Sequence, residues 1–600
     1  MFPNSGPRET FRFGGFELDV SAYELRCQTG PVRLERRPMD LLILLVERRG
    51  QLVSRSDIVE RLWEKDVFFD AEPAVNTVIW KVRGALHDSP DAPTFVETVP
   101  GRGYRFIAAV EVIACPHASA DSSGLRNQLS QPLDTITIVV LPFHNLSSDA
   151  EQEYFSDGLT EETISALGQL NPEHIRVVAR TSSMAYKRTS KTAAQIGQEL
   201  HANYLLESSV RREVRHVRIA TQLIRVEDEI QVWSGTYDRT PDGFLGVQDE
   251  IGRAIATEIL AKLTPIPHGH VQRRSTPDPE AYDLYLRGKY DWHHFAIPKA
   301  IECFEAAIGR DASYAPAYAG LAEACAALPI LADAVPRDYW EKARLAADKA
   351  LALDPHLADA HAASGFVDFF LGWDWARAEG SLRRAIELNP NYALAHFYCA
   401  HVLSNSYRHD EAIALIRNGR EIDPLSPIMH SFHGQFLFDA RRYTEALEPI
   451  QRAIAIAPNF FHGHEILSRL YLQMGALDEA LEECEKSYQL SGGMLFALAR
   501  KGYVLATAGR RAEAEQVMAQ LETMSSARFV APFHFALVHA GLGHREEAVN
   551  CLVQAFDVRA VHLVLFPTDP VWDSFRDERR LRTLLKKYGL PEASARGSLS

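Results

Sequence analysis

No Cys-x-x-Cys pair occurs among the seven cysteines, which stand singly and far apart. The odd count and wide spacing argue against a zinc ribbon and against a disulfide framework, so the thiols read as reduced and packed. Long apolar runs are also missing. The longest, Leu41 to Val46 and Ile136 to Phe143, fall far short of the roughly 20 residues a membrane span needs. Met1 to Thr10 lacks the apolar core of a signal peptide, and the chain is expected in the cytoplasm, away from membrane. Positive charge is in deficit, with 64 Lys and Arg against 79 Asp and Glu and a net charge of −15. A uniformly basic nucleic-acid coat is therefore excluded, and any such contact must be a local patch. No G-x-x-x-x-G-K-[ST], H-E-x-x-H or G-x-S-x-G pattern occurs. No catalytic residue, cofactor or metal is expected, and the chain does not read as an enzyme. Its 600 residues exceed what one core can organise, so several domains are expected.

The first domain spans residues 9–112. Phe11 to Leu18, Ala22 to Cys27 and Val32 to Leu34 suggest strands, followed by helices over Arg37 to Arg48 and Arg55 to Trp63. Gly50 stops the first helix and Ser54 caps the second. A third helix is predicted over Val75 to Leu86, where Val75, Val78, Ile79, Val82 and Leu86 recur at helical spacing and Lys81 and Arg83 carry charge without an acid. Thr98-Val99-Pro100-Gly101-Arg102-Gly103-Tyr104-Arg105-Phe106 then reads as a hairpin whose glycines let its tip approach another backbone closely. The Val75 to Leu86 and Thr98 to Phe106 patterns, at their proper separation, resemble the OmpR/PhoB-type winged helix-turn-helix, an α+β fold. The resemblance implies double-stranded promoter DNA as a partner, with RNA polymerase and a second copy of the chain as further partners. It places contact positions on Thr77, Val78, Trp80, Lys81 and Arg83 of the helix, and on Thr98, Pro100 and Arg102 of the wing; Asn76, off the apolar stripe, and Gly101, at the hairpin tip, join them as candidate contacts. Val78, Trp80 and Pro100 depart from the family's commoner choices. Trp80 fits either thymine methyls and sugars or the core, and Arg83 fits either a phosphate or an ion pair with Asp88 or Glu97. Arg102 fits a minor groove, whose negative potential attracts an inserted cation, or an ordinary solvated turn.

Residues 113–134, rich in Ser, Ala, Asn and Gln, read as a linker. Residues 135–263 alternate strand and helix: strands over Ile136 to Leu141, Ile175 to Ala179, Tyr204 to Arg211, Val217 to Val226 and Glu229 to Tyr237, helices over Tyr154 to Leu170, Ala193 to Leu200 and Val247 to Leu263. That is a mixed α/β domain. Its phrases Phe155 to Glu162, Val177 to Ser183 and Trp233 to Arg239 resemble the TolB amino-terminal-like domain. A second linker covers residues 264–279.

From residue 280 to 590 the chain is helical and periodic. Ala412, Ala446, Ala480, Ala514 and Ala548 stand 34 residues apart, as do Ala400, Gly434, Ser468, Gly502 and Ala536. Pro355, Pro390, Pro424 and Pro458 follow with gaps of 35, 34 and 34. Three registers on one period resemble the tetratricopeptide repeat. The resemblance implies an all-α solenoid of about eight helical pairs that recruits a protein or peptide in its concave groove. Pro449 is expected to kink its helix, Asp569 to Leu590 to cap the array in solvent, and the last ten residues to be disordered. His361, His396, His430 and His464 share one phase, which suits packing better than a shared metal ion, since neighbouring repeats lie about 10 Å apart. His293 and His294 read as surface residues. Asp149, Glu151, Asp157, Glu161 and Glu162 read as carboxylates complementing a helix dipole.

Taken together, these features point to a one-component bacterial transcriptional regulator without a receiver domain, controlled through its repeats. The alternative is a repeat scaffold whose winged helix binds protein rather than DNA.

Overall fold

The computed structural model describes residues 9–19, 24–27, 30–32, 34, 36–62, 71–86, 88–89, 93–99, 102–108, 110–114, 135–147, 153–170, 175–213, 216–239, 276 and 278–592. Most of both expected linkers, the expected Val247 to Leu263 helix, Asp149, Glu151 and residues 593–600 lie outside them. The chain divides into two compact units, Met1–Ser130 and Gln131–Ser600.

In the first unit, Gly14 and Gly15 both take positive φ. They break the expected Phe11 to Leu18 strand into a hairpin of β1 (Glu9–Phe13) and β2 (Phe16–Asp19). With β3 (Glu24–Cys27) and β4 (Gly30–Val32) this forms a sheet of order β4-β3-β2-β1-β8. Then come α1 (Arg36–Glu47), β5 (Leu52–Ser54), α2 (Arg55–Leu62) and α3 (Ala71–Leu86). Ser54 and Asp57 cap α2 reciprocally, each side chain accepting from the other's backbone N–H at 3.1 Å. The hairpin of β6 (Val96–Val99) and β7 (Gly103–Phe106) pairs with β5, and β8 (Glu111–Ala114) returns to β1. Backbone pairing thus carries the domain to Ala114, two residues beyond the expected boundary at 112. One core joins β1 to β7 and the three helices, with Phe11, Phe13, Leu41, Leu45, Ile58, Val75, Val82, Val96 and Phe106 buried in it.

The second unit begins with a six-stranded mixed sheet. β9 (Ile136–Val140) runs parallel to both β11 (Ile175–Val177) and β12 (Tyr204–Glu213). A short β10 (His144–Asn145) also pairs with β12, and β13 (His216–Arg225) and β14 (Ile230–Arg239) extend the sheet antiparallel. Its helices are α4 (Glu153–Leu170), α5 (Arg180–Met184) and α6 (Ala193–Glu199). The sequence signal missed α5, which is only five residues long.

Eight helix pairs follow among the described residues. They are α7 (Pro279–His293) with α8 (Ile297–Arg310), and α9 (Ala315–Leu331) with α10 (Pro336–Leu353). Next are α11 (Ala358–Val367) with α12 (Trp375–Leu388), and α13 (Ala393–Asn405) with α14 (His409–Ile422). Then α15 (Pro427–Asp439) packs with α16 (Tyr443–Ile456), and α17 (Phe461–Gln473) with α18 (Leu477–Leu490). The last pairs are α19 (Leu495–Thr507) with α20 (Arg511–Ser525), and α21 (Pro532–Leu542) with α22 (Arg545–Asp557). α23 (Arg579–Tyr588) closes the array.

The two small-residue registers meet inside the fifth and sixth pairs. A Cβ on Gly434 would overlap Ile450 and lie 3.2 Å from the Ala446 carbonyl. The Ser468 hydroxyl donates to the Ala480 carbonyl at 2.6 Å. The proline and histidine registers also meet. His361, His396, His430 and His464 each place Nε2 2.9 Å from the carbonyl of the proline six residues earlier. Each ring therefore fastens its own repeat turn. α16 runs through Pro449 without ending.

Sheet and array are fastened directly within this unit. The Tyr154 hydroxyl donates to Asp283 at 2.5 Å, and the Asn391 amide donates to the Gly168 and Ile175 carbonyls. Asp423 accepts from the Ser182 amide at 2.9 Å. Two sequence readings change here. Glu161 is bonded to Lys289 at 2.9 Å and to His293 at 3.2 Å, and Asp157 to Lys187 at 2.6 Å. These carboxylates join elements rather than only facing a helix dipole. His293 accordingly lies in the junction rather than at the surface, and burial there pushes its pKa down to about 4.

Candidate nucleic-acid interface

α3 buries one stripe and exposes another. Val75, Val78, Ile79, Val82 and Leu86 enter the core, and Asn76, Trp80 and Gly84 point outward. Val78 was expected at the interface by resemblance, yet its helical spacing put it with the apolar stripe. It is only 6% exposed, so it offers no surface to a partner. Trp80, by contrast, is 73% exposed, which settles its two readings against core packing. An indole, apolar in body with one polar N–H, suits contact with a partner when a helix holds it in water. Lys81 is half-buried beside it. Thr77 lies on the same helix, its side chain outside the described residues.

Asn76 and Arg83 both reach the wing. The Tyr104 hydroxyl donates to the Asn76 side-chain oxygen at 3.0 Å. Arg83 Nη2 donates to the Val96 carbonyl at 2.7 Å and to the Thr98 hydroxyl at 2.9 Å. Neither of the expected ion-pair partners holds Arg83. Asp88 instead accepts from the Thr94, Phe95 and Val96 amides, and Glu97 pairs with Arg105 at 3.4 Å. Arg83 is thus a strut between helix and wing, and Thr98 is its anchor while remaining exposed. Tyr104 and Asp88, which sequence reasoning did not assign to the interface, set the wing against α3.

At the wing, Arg102 is exposed and its amide donates to the Val99 carbonyl at 3.0 Å, closing the turn. Pro100 and Gly101 lie outside the described residues. The close backbone approach expected of the hairpin glycines does occur at Gly103, but toward the domain itself. A Cβ there would overlap the Val53 carbonyl of β5. The result is a helix edge carrying Trp80 and Lys81 beside a turn carrying Arg102. A major-groove reader needs this division, with base-edge contacts from a helix and phosphate or minor-groove contacts from a flanking cation.

Residues 29–106 match the family described as "Transcriptional regulatory protein, C terminal". The amino-terminal unit is an OmpR/PhoB-type winged helix, the class of DNA-binding domain found in transcriptional regulators. The chain is 33% identical over 101 residues to the "Cholera toxin transcriptional activator" of Vibrio cholerae serotype O1, covering 17% of this chain and 34% of that one. It is 33% identical over 285 residues to "Putative adenylate cyclase 3" of Rhizobium meliloti, covering 46% of this chain and 41% of that one. That second stretch is longer than the amino-terminal unit, so it reaches into the second. The chain thus spans under half the length of these relatives. Among solved structures, the Klebsiella pneumoniae RstA DNA-binding domain in complex with the RstA box is 26% identical, with a TM-score of 0.15 over 16% of this chain and 96% of that one. The helical region resembles a tetratricopeptide solenoid.

The chain's own carboxy-terminal segment packs against the fourth to eighth helix pairs of the array. Tyr407 donates to the Pro567 carbonyl, Thr568 to Asn405, and Arg441 to the Thr568 carbonyl. Asp569 lies between Arg469 and Arg500, all three buried. Trp572 is fully buried against Phe533 and Phe566. Asp569 and Trp572, at or near the start of the segment expected to face solvent as a cap, are therefore buried against the array.

Proposed function

We propose that the chain is a sequence-specific, DNA-binding transcriptional regulator whose second unit supplies control. The carrying observation is the outward face of α3, where Trp80 and Lys81 stand beside the exposed Arg102 of the wing. Lys81 and Arg102 meet phosphates or a minor groove, Trp80 meets sugars and thymine methyls, and Asn76, Arg83 and Thr98 fix the angle between helix and wing. The middle sheet, TolB-like by its sequence phrases, couples the array to this role. A protein partner of the array docks on its remaining surface or displaces the segment around Asp569, which packs against helices α13 to α21. RNA polymerase and a second copy of the chain are the partners that such a regulator uses on a promoter.

Fluorescence anisotropy with duplex DNA tests this reading. Lys81→Ala should weaken binding by about 1–3 kcal/mol and reduce the salt slope by about one unit. Unchanged affinity and slope would remove α3 from the interface. The exposed Trp80 favours a second reading, a protein-binding winged helix, which predicts loss of a protein complex on Trp80→Ala with DNA binding untouched.

A further inference from the structure

The second unit holds a cationic cleft that the proposed function has not used. It measures about 450 Å³ and lies where the middle sheet meets the array, between β11, the turn after α6, and helices α14 to α16. Arg176, Arg417, Arg420 and Arg452 line it, against the carboxylates of Glu199 and Glu421.

Both carboxylates are already engaged. Glu421 pairs with Arg176 at 2.9 Å, and Glu199 accepts from Lys191 and from the Tyr186 hydroxyl at 2.7 Å. Three guanidiniums remain. Arg420 has Glu448 no nearer than 3.9 Å and spends one N–H on the neutral His433 ring at 2.6 Å. Arg417 and Arg452 make no hydrogen bond or ion pair among the described residues. Burial weakens the hold of Arg420 on its proton; Glu448 opposes this, and the charges of Arg417 and Arg452 add to it. In a chain whose acids outnumber its bases, Arg417 and Arg452, without an ion pair among the described residues, beside an Arg420 only loosely paired with Glu448, concentrate positive charge in one cleft.

We infer that this cleft is a binding site for a phosphate-bearing small molecule. Guanidinium forks match phosphate oxygens in pairs, and they do so best where water is partly excluded. The cleft volume falls in the range of small-ligand pockets, about 300–1,000 Å³. A concave site between two layers suits a small molecule better than a duplex or a protein face. The cleft also borders the fastening of sheet to array. Pro424 and Leu425 line it, and the Leu425 amide donates to the Ser182 hydroxyl that bonds Asp423. A ligand bridging Arg176 and Arg452 would tie the two layers together. Its role as the regulator's input rests on the function proposed above, whereas the binding itself does not.

Titration calorimetry of the full chain with inorganic pyrophosphate tests the site, with citrate as a carboxylate control and a short duplex DNA as competitor. The expected result is saturable 1:1 binding of pyrophosphate, at least tenfold weaker binding of citrate, and no displacement by DNA. The double variant Arg417→Gln/Arg452→Gln should bind pyrophosphate at least tenfold more weakly. Both residues are exposed, so its melting temperature should stay at that of the parent chain. Absence of saturable pyrophosphate binding, equal affinity in the double variant, or displacement by the duplex would each overturn the inference. Affinity of the full chain for duplex DNA on the α3 side is measured separately with Lys81→Ala, so failure of the cleft and failure of the DNA reading remain distinguishable.

Discussion

Arg83 and Arg102 are both arginines near the wing, yet they are expected to fail differently. Arg83 spends its guanidinium on Val96 and Thr98, so Arg83→Ala should lower the melting temperature of the first unit as well as DNA affinity. Loss of hydrogen bonds from a charged donor corresponds to about 1.5–3 kcal/mol. Arg102 bonds only through its backbone turn in the described contacts, so Arg102→Ala should weaken DNA binding and leave thermal stability unchanged. Thermal melts run beside anisotropy titrations separate the two, and a large melting shift for Arg102→Ala would count against a wing-tip contact. Val78 shows why residue-level reading from resemblance alone misleads. Its position in a family pattern suggested contact, but the 3.6-residue period placed it with Val75 and Val82, and burial follows the period. Arg83 was legible as a charged residue on the right helix. Its commitment to the wing was not, because the Val96 carbonyl it bonds is a backbone acceptor with no sequence signature.

Helices and hairpins were the most readable level. The 34-residue small-residue registers fall on the last five pairs, because small residues are favoured where Gly434 faces Ala446 and Ser468 faces Ala480; the earlier pairs are less regular in sequence. Local chemistry hid the short elements: the glycine pair that splits β1 from β2, the three-residue β5 and the five-residue α5. Buried polar residues inside the first helices were unreadable as well. His401 on α13 is surrounded by Phe369, Phe370, Phe397, Phe432 and Phe436, and neither ring nitrogen has a partner. Burial, with a lesser contribution from His462, pushes its pKa down to about 3. A folded pKa below the unfolded value near 6.5 means that the neutral ring is favoured by folding. Its contribution is therefore full above about pH 6.5 and is lost as pH falls toward 3. His401→Phe should remove that loss and raise stability by about 1–3 kcal/mol, since an unsatisfied buried polar group disappears. Denaturant melts should show the gap between variant and parent widening from pH 7 to pH 4. A constant gap would show that the ring does not titrate with unfolding.

At the scale of the molecule, two units with separate cores imply two unfolding transitions. Asp569 provides the handle on the second. Against burial, which would raise it, Arg469 and Arg500 hold its carboxyl well below the usual range. Asp569→Asn leaves two buried guanidiniums short of a counter-charge, a change that typically costs about 3–5 kcal/mol. Calorimetry should show the transition of the second unit falling and that of the first unchanged. A shift of both together would mean that the units do not unfold independently. The burial of Asp569 and Trp572 against the array could not be foreseen from the repeats, because the periodic pattern describes neighbouring helices and carries no information about a segment that follows them. Trp572 and Asp569 lay outside every register.

The regulator reading depends most on whether the outward edge of α3 and the wing choose a sequence. Repeated selection of the full chain on random duplex DNA, followed by sequencing, tests that directly. One enriched motif, lost with Lys81→Ala and weakened with Arg102→Ala, is the expected result. A pool that stays random through successive rounds at low salt, with the first unit folded, would contradict it.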